Sequence, residues 1–207
     1  MPPKASAHLS KNASQSGKEN RNSDFQIAFG NSASGDSVNK EIIHLRVNGE
    51  EREIAVAPNR LLLDALREDL GLTGSKRGCD DSSCGCCAVL VDGAPTLSCV
   101  ALAASYQQRE ITTVEGLGGP GELDPVQQGF AEMGGAQCGF CTPGFMIATK
   151  ALLDRNPNPT LDEIREALSG NLCRCTGYMQ IYESVKYALE KCRAAAPRSE
   201  SPAQAAR

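Results

Sequence analysis

The sequence predicts an α+β chain in two parts: a small mixed sheet of β-grasp type, followed by a bundle of four short helices. Three observations predict it. Between residues 41 and 114, apolar side chains alternate with period two between turn signals. From Asp124 onward the period becomes helical, with N-cap signatures ahead of the first three runs. Eight of the ten cysteines fall into two groups of four, one in each part.

The elements follow in order. Ile43-His44-Leu45-Arg46-Val47 alternates as a half-buried strand does, and Asn48-Gly49 signals a hairpin turn. Glu53-Ile54-Ala55-Val56 continues as the second strand. Asn59 reads as the N-cap of a helix from Arg60 to Leu70, with Leu62, Leu63, Leu66 and Leu70 inward and Gly71 as the stop. Ala88 to Val91 is a third strand closed by Asp92-Gly93. Short strands near Pro95–Ser98 and Ile111–Val114 complete the sheet. In the second part, Asp124-Pro125-x-Gln127 opens a helix to about Met133, and Thr142-Pro143 opens another. Thr160-x-x-Glu163 is a capping box, and Gln180 to Cys192 carries Ile181, Val185, Ala188 and Leu189 at helical spacing. No internal repeat is present. Residues 1–40 and 194–207 are polar or small and read as disordered tails, which leaves two domains over 41–116 and 117–193.

Composition excludes several functions. The net charge is −4 and there is no long basic run, so nucleic acid is not an expected partner. No apolar stretch is long enough to span a membrane, and no apolar core follows the N-terminus as export would require. Ten cysteines then read as metal ligands in a reducing, cytoplasmic setting rather than as disulfides. The two histidines, His8 in a polar tail and His44 in a strand, read as structural or solvated. No Gly-rich phosphate loop is present. The chain is not expected to perform bond chemistry alone.

The cysteine spacing carries the chemistry. The first group is Cys79-x4-Cys84-x2-Cys87-x11-Cys99. Thiolates are soft anionic ligands, and this is the plant-type ferredoxin spacing, in which three cysteines on a tight loop and a distant fourth hold a [2Fe–2S] cluster. Zinc sites favour paired CxxC knuckles, which the four-residue gap and lone Cys99 fit poorly. The second group is Cys138-x2-Cys141-x31-Cys173-x-Cys175. Alone it would also suit zinc. Its first pair precedes a helix, whose N-terminal partial charge favours thiolate, and its second pair precedes the last helix. Cys86 reads as a small buried non-ligand between two ligands, and Cys192 as a free thiol.

The strings GCDDSSCGCCAVLVDG, QCGFCTPG and GNLCRCTGY resemble the iron–sulfur subunit of the molybdenum hydroxylases, the xanthine oxidase family. The resemblance covers about Ile42 to Cys192. It implies a plant-type ferredoxin-like domain holding one [2Fe–2S] cluster through Cys79, Cys84, Cys87 and Cys99. It implies a helical domain holding the second through Cys138, Cys141, Cys173 and Cys175. It further implies that Gln137 and Cys175 contact the pterin of a molybdopterin cofactor, carried on a large partner subunit, and that a medium partner subunit carries FAD. The chain would relay electrons between molybdenum and flavin, or an external carrier. Two departures stand out: Asp80 and Ser82 occupy positions where the family usually has glycine, and Cys86 stands where it usually has alanine. Within the family, LLLDALREDLGLTGSKRGCDD and the segment from Gly144 to Tyr178 lean towards the small subunit of 4-hydroxybenzoyl-CoA reductase. Small subunits for aldehyde, xanthine, nicotinate, isoquinoline and carbon monoxide share the motifs. A zinc-stabilised interaction module is the competing expectation of another class.

Overall fold

The computed structural model describes residues 39–119 and 121–195, and these fall within one compact unit. Strands β1 (Glu41–Val47) and β2 (Glu50–Val56) pair antiparallel, turning at Asn48 and Gly49 with φ of 54° and 79°. Two successive left-handed residues give the turn whose twist matches the strands. Ile43, Leu45, Val47, Ile54 and Val56 face inward. Strands β3 (Ala88–Val91), β4 (Ala94–Leu97) and β5 (Glu110–Thr112) complete a sheet of order β2-β1-β5-β3-β4, in which only β1 and β5 run parallel. Asn48 ties the hairpin turn to the end of β5. Its amide N–H donates to Ile111 O at 2.8 Å, and its side-chain oxygen accepts from Thr113 N at 2.9 Å.

The segment after β2 departs from expectation. Instead of a capped helix over Arg60–Leu70, α1 is one short turn, Leu62–Asp64, that widens into a π-turn over Ala65–Asp69. The first position is Leu61, with no side-chain cap. The reason is tertiary: Leu62 N and Leu63 N donate to the carbonyls of Ala101 and Ser98, so the orphan helix donors need no Asn59 cap. Leu62, Leu66, Val89, Val91 and Ile111 close the sheet core.

The second half holds α2 (Pro125–Glu132), α3 (Thr142–Arg155), α4 (Leu161–Ala167) and α5 (Met179–Ala195). With α1 of the sheet half, five α-helices stand among the described residues, four of them in the second half, and the α+β class holds. Asp124 and Thr160 both form reciprocal capping boxes, with Gln127 and Glu163. A Cβ on Gly129 would lie 2.3 Å from Ser184 O, so α2 lies against the α5 backbone only because that position has no side chain. Phe130, Phe145, Leu152, Ile164, Ile181 and Val185 form the helical core.

All four β3 residues are buried, so this strand does not alternate. Val89 and Val91 face the sheet core, while Ala88 and Leu90 pack on Ile147 of α3. One strand thus joins both halves. Of the expected tails, only residues 39–40 and 194–195 are described, and α5 runs to Ala195, past the expected boundary at 194. The remaining tail residues, His8 and the export expectation lie outside the described residues.

Gly129→Ala is expected to cost about 1–3 kcal/mol by overpacking, read as a lower midpoint in chemical unfolding. The α4 capping box gives a pH signature. Glu163 sits below the ordinary carboxylate range because the Thr160 amide, then its hydroxyl, bond to it. A depressed acid stabilises the fold above its unfolded pKa and loses that contribution as pH falls through the folded value. The stability gap between wild type and Glu163→Gln should therefore be largest near neutrality and shrink below about pH 4.

Candidate metal centres

The first cysteine loop, Gly74 to Cys87, is built from backbone bonds. Arg67 donates to the carbonyls of Thr73 and Ser75 at 2.8 and 2.7 Å, and Lys76 N donates to Cys86 O at 3.0 Å. Gly74 N donates to Glu115 at 2.7 Å. Asp81 accepts from Ser83 N and its hydroxyl at 3.1 and 2.6 Å, a local turn that carries Ser82 at φ 67°. That left-handed backbone explains why glycine is expected at Ser82. The Asp81 turn holds the conformation with a side chain present.

The thiols of the first group come in pairs: Cys79 interacts with Cys84, and Cys87 with Cys99. The Cys84 amide N–H points at Cys79 and holds its thiol below the usual range. Burial pushes Cys87 up to about 11. The Arg77 guanidinium, ion-paired to Asp64, is close enough to Cys87 and Cys99 to feel their charge.

The second group also forms two pairs, Cys138 with Cys175 and Cys141 with Cys173. Cys141 is buried at the start of α3, and burial, then Cys173, push its thiol up to about 12. Cys173 is opposite in sign: burial would raise it, but the Thr176 hydroxyl and amide, at 3.1 and 3.4 Å, outweigh that and hold it low. Tyr178, at φ 70°, supports the turn. Its hydroxyl accepts from Cys173 N at 3.1 Å, and its ring meets Phe145 edge-on at 6.0 Å. Cys138 and Cys175 are exposed, as is the neighbouring Gln137.

The two loops are bonded to each other. Leu172 N donates to Cys84 O at 3.0 Å, and the Asn171 side chain donates to Gly85 O at 3.1 Å. A cavity of about 550 Å³ lies between them, lined by Cys79, Cys84 and Cys86 from one and Cys138, Cys141 and Cys175 from the other. Among the described residues, no three Cys, His, Asp or Glu side chains converge on one metal-ion position. The donors instead arrive two by two. A single tetrahedral ion needs four sulfurs at one centre, about 2.3 Å away. A [2Fe–2S] core shares its four thiolates between two irons, and paired donors fit it.

The eight cysteines of the two expected groups lie on the two loops described here, and the sequence did not point to two residues beside them, Arg77 and Asn171. Arg77 had a readable signal, a cation two residues before Cys79. Asn171 had none, since its partner lies 86 residues away. Cys192 is half-buried, and burial raises its thiol. His44 is exposed on β1, 3.8 Å from Glu53.

Residues 45–111 match the model of the 2Fe-2S iron–sulfur cluster binding domain, and residues 113–186 that of a [2Fe-2S] binding domain. The chain is 50% identical over 155 residues to the nicotinate dehydrogenase small FeS subunit of Eubacterium barkeri, covering 75% of this chain and 99% of that one. The chain belongs to the iron–sulfur small subunits of the molybdenum hydroxylases. It is also 50% identical over 143 residues to the nicotine 6-hydroxylase small subunit of Paenarthrobacter nicotinovorans, covering 69% of this chain and 86% of that one. A chain in the crystal structure of quinoline 2-oxidoreductase from Pseudomonas putida 86 superposes with a TM-score of 0.72 at 43% identity, covering 76% of this chain and 98% of that one. As a small subunit of oxidoreductase enzymes, this family transfers electrons through its iron–sulfur domains and works beside a larger partner. These relatives are named for nicotinate, nicotine and quinoline, so the lean towards 4-hydroxybenzoyl-CoA reductase gains nothing from them.

Gly85 tests the joint between the loops. It sits at φ 69°, and a Cβ there would lie 2.4 Å from Gly170 O. Gly85→Ala is expected to lower stability by at least about 1–2 kcal/mol, the cost of the left-handed backbone alone. Thermal unfolding checks it.

Proposed function

We propose that Cys79, Cys84, Cys87 and Cys99 hold one [2Fe–2S] cluster and Cys138, Cys141, Cys173 and Cys175 a second. Two domains, residues 41–116 and 117–193, would carry them, the helices of the second acting as a bundle around its cysteine loops. The observation that carries this is the two-by-two pairing of thiols in both loops. Bound there, the clusters would supply one-electron carriers. The chain's own residues supply the ligands, N–H donors to sulfur, and burial. Exposed Gln137 and Cys175 would face the molybdopterin of a large subunit, and a medium subunit would bring FAD. A cytoplasmic complex acting on an N-heteroaromatic ring is the reading that the relatives' names favour. The segments noted above keep a 4-hydroxybenzoyl-CoA reductase-like reaction, with electrons running towards molybdenum, as the alternative. In either case the large subunit's pocket would set the chemistry. Among the described residues no helix is long and apolar enough to cross a membrane.

The test is anaerobic purification with whatever large subunit accompanies the chain. About four irons per chain and two distinct EPR signals after reduction are expected, since each cluster holds two irons. Zinc in place of iron and a colourless protein would end the reading. Cys138→Ser should remove one EPR signal and leave the other. Arg77→Gln takes a positive charge from beside Cys87 and Cys99, so the midpoint of the first-loop cluster should fall while the other holds. A redox titration followed by EPR measures both.

A further inference from the structure

Cys86 is the one cysteine of the first loop left without a role. It is 4% exposed and lines the cavity shared by the two loops. Its thiol interacts with the Cys84 side chain and is near enough to Cys141 to feel its charge. Gly78 shows where both sulfurs point. A Cβ there would lie 3.0 Å from the Cys84 sulfur and 3.1 Å from the Cys86 sulfur, so the two thiols converge on one bare stretch of backbone. The other acceptor for Cys86 is Cys84 O, at 3.8 Å, and that carbonyl already takes the Leu172 N–H at 3.0 Å. A charged sulfur is the stronger acceptor of the two.

We propose that Cys86 is a positioning residue for electron transfer, whose S–H donates to the Cys84 thiolate and raises the reduction potential of the first-loop cluster. The proposal rests on the ligand assignment above. Reduction adds negative charge that spreads over the sulfurs, so a donor aimed at one of them stabilises the reduced form more than the oxidised form. The same burial that hides Cys86 from solvent keeps water from replacing its donor. Cys86 meets Cys84 side chain to side chain and Cys141 only through its charge, so the effect should be large on the first cluster and small on the second.

The experiment is an anaerobic redox titration of the assembled complex, followed by EPR, for wild type, Cys86→Ala and Cys86→Ser. Alanine should lower the first-loop midpoint by about a tenfold change in its reduction equilibrium, 59 mV for one electron. Serine, which restores a donor, should bring the midpoint back to the wild-type value or above. If alanine prevents assembly, Cys86→Val removes the donor at nearer volume and is expected to show the same fall. An unchanged midpoint in alanine or valine overturns the proposal. So do equal shifts in alanine and serine, which would mean packing alone, and so does loss of the first-loop signal, which would make Cys86 a ligand. If wild type itself lacks both [2Fe–2S] signals, it is the ligand assignment that fails.

Discussion

Two hydrogen bonds hold the candidate centres in place: Leu172 N–H to the Cys84 carbonyl and the Asn171 amide to the Gly85 carbonyl. Both acceptors belong to the first cysteine loop, and both donors sit just ahead of Cys173. Unpaired, the buried carbonyls of Cys84 and Gly85 would cost about 1–3 kcal/mol apiece. Bonded, the loops form one rigid unit from segments nearly ninety residues apart. Neither loop has regular secondary structure to stiffen it, so each takes its shape from the other.

The seam beneath this joint is apolar. β3 is covered on one face by the sheet core and on the other by Ile147 of α3. The same helix begins at Cys141, and a Cβ on Gly144, in its first turn, would lie 2.3 Å from Gly85 O. Packing of α3 on β3 and placement of Cys141 beside the first loop are therefore one event. Sheet and helices share a strand, a helix and a pair of loops. The two domain models that match the chain meet within this single compact unit.

Electrostatics sorts the thiols. Four sulfurs in each group would repel one another as thiolates, and burial first, then the neighbouring cysteines, drive Cys87 and Cys141 up to about 11 and 12. Against this stand amide N–H groups at Cys79 and Cys173, the Thr176 hydroxyl and the Arg77 guanidinium. A coordinated metal would deprotonate each thiol outright, leaving these donors to stabilise the residual charge. The exposed pair, Cys138 with Cys175, lies at the opposite extreme from buried Cys141, which grades the site from core to surface.

Local chemistry was legible in the sequence. The hairpin at Asn48-Gly49, the capping boxes at Asp124 and Thr160 and the strand Ala88–Val91 all follow from interactions between residues near in the chain, and the spacing of the cysteines marks two candidate groups. The helix after β2 was found, but its start and its π-turn were misread. Its donors are taken by Ala101 and Ser98, carbonyls some forty residues away, and no local pattern encodes them. Asn171 was invisible for the same reason, and so was the convergence of Cys84 and Cys86 over Gly78. By itself the sequence determined which residues could bind metal and which segments could be helix or strand, since these are properties of side chains and short-range geometry. Only the tertiary structure decided which thiol stands beside which, which are buried, and which backbone groups lock the loops together, because those depend on distances that chain order does not contain.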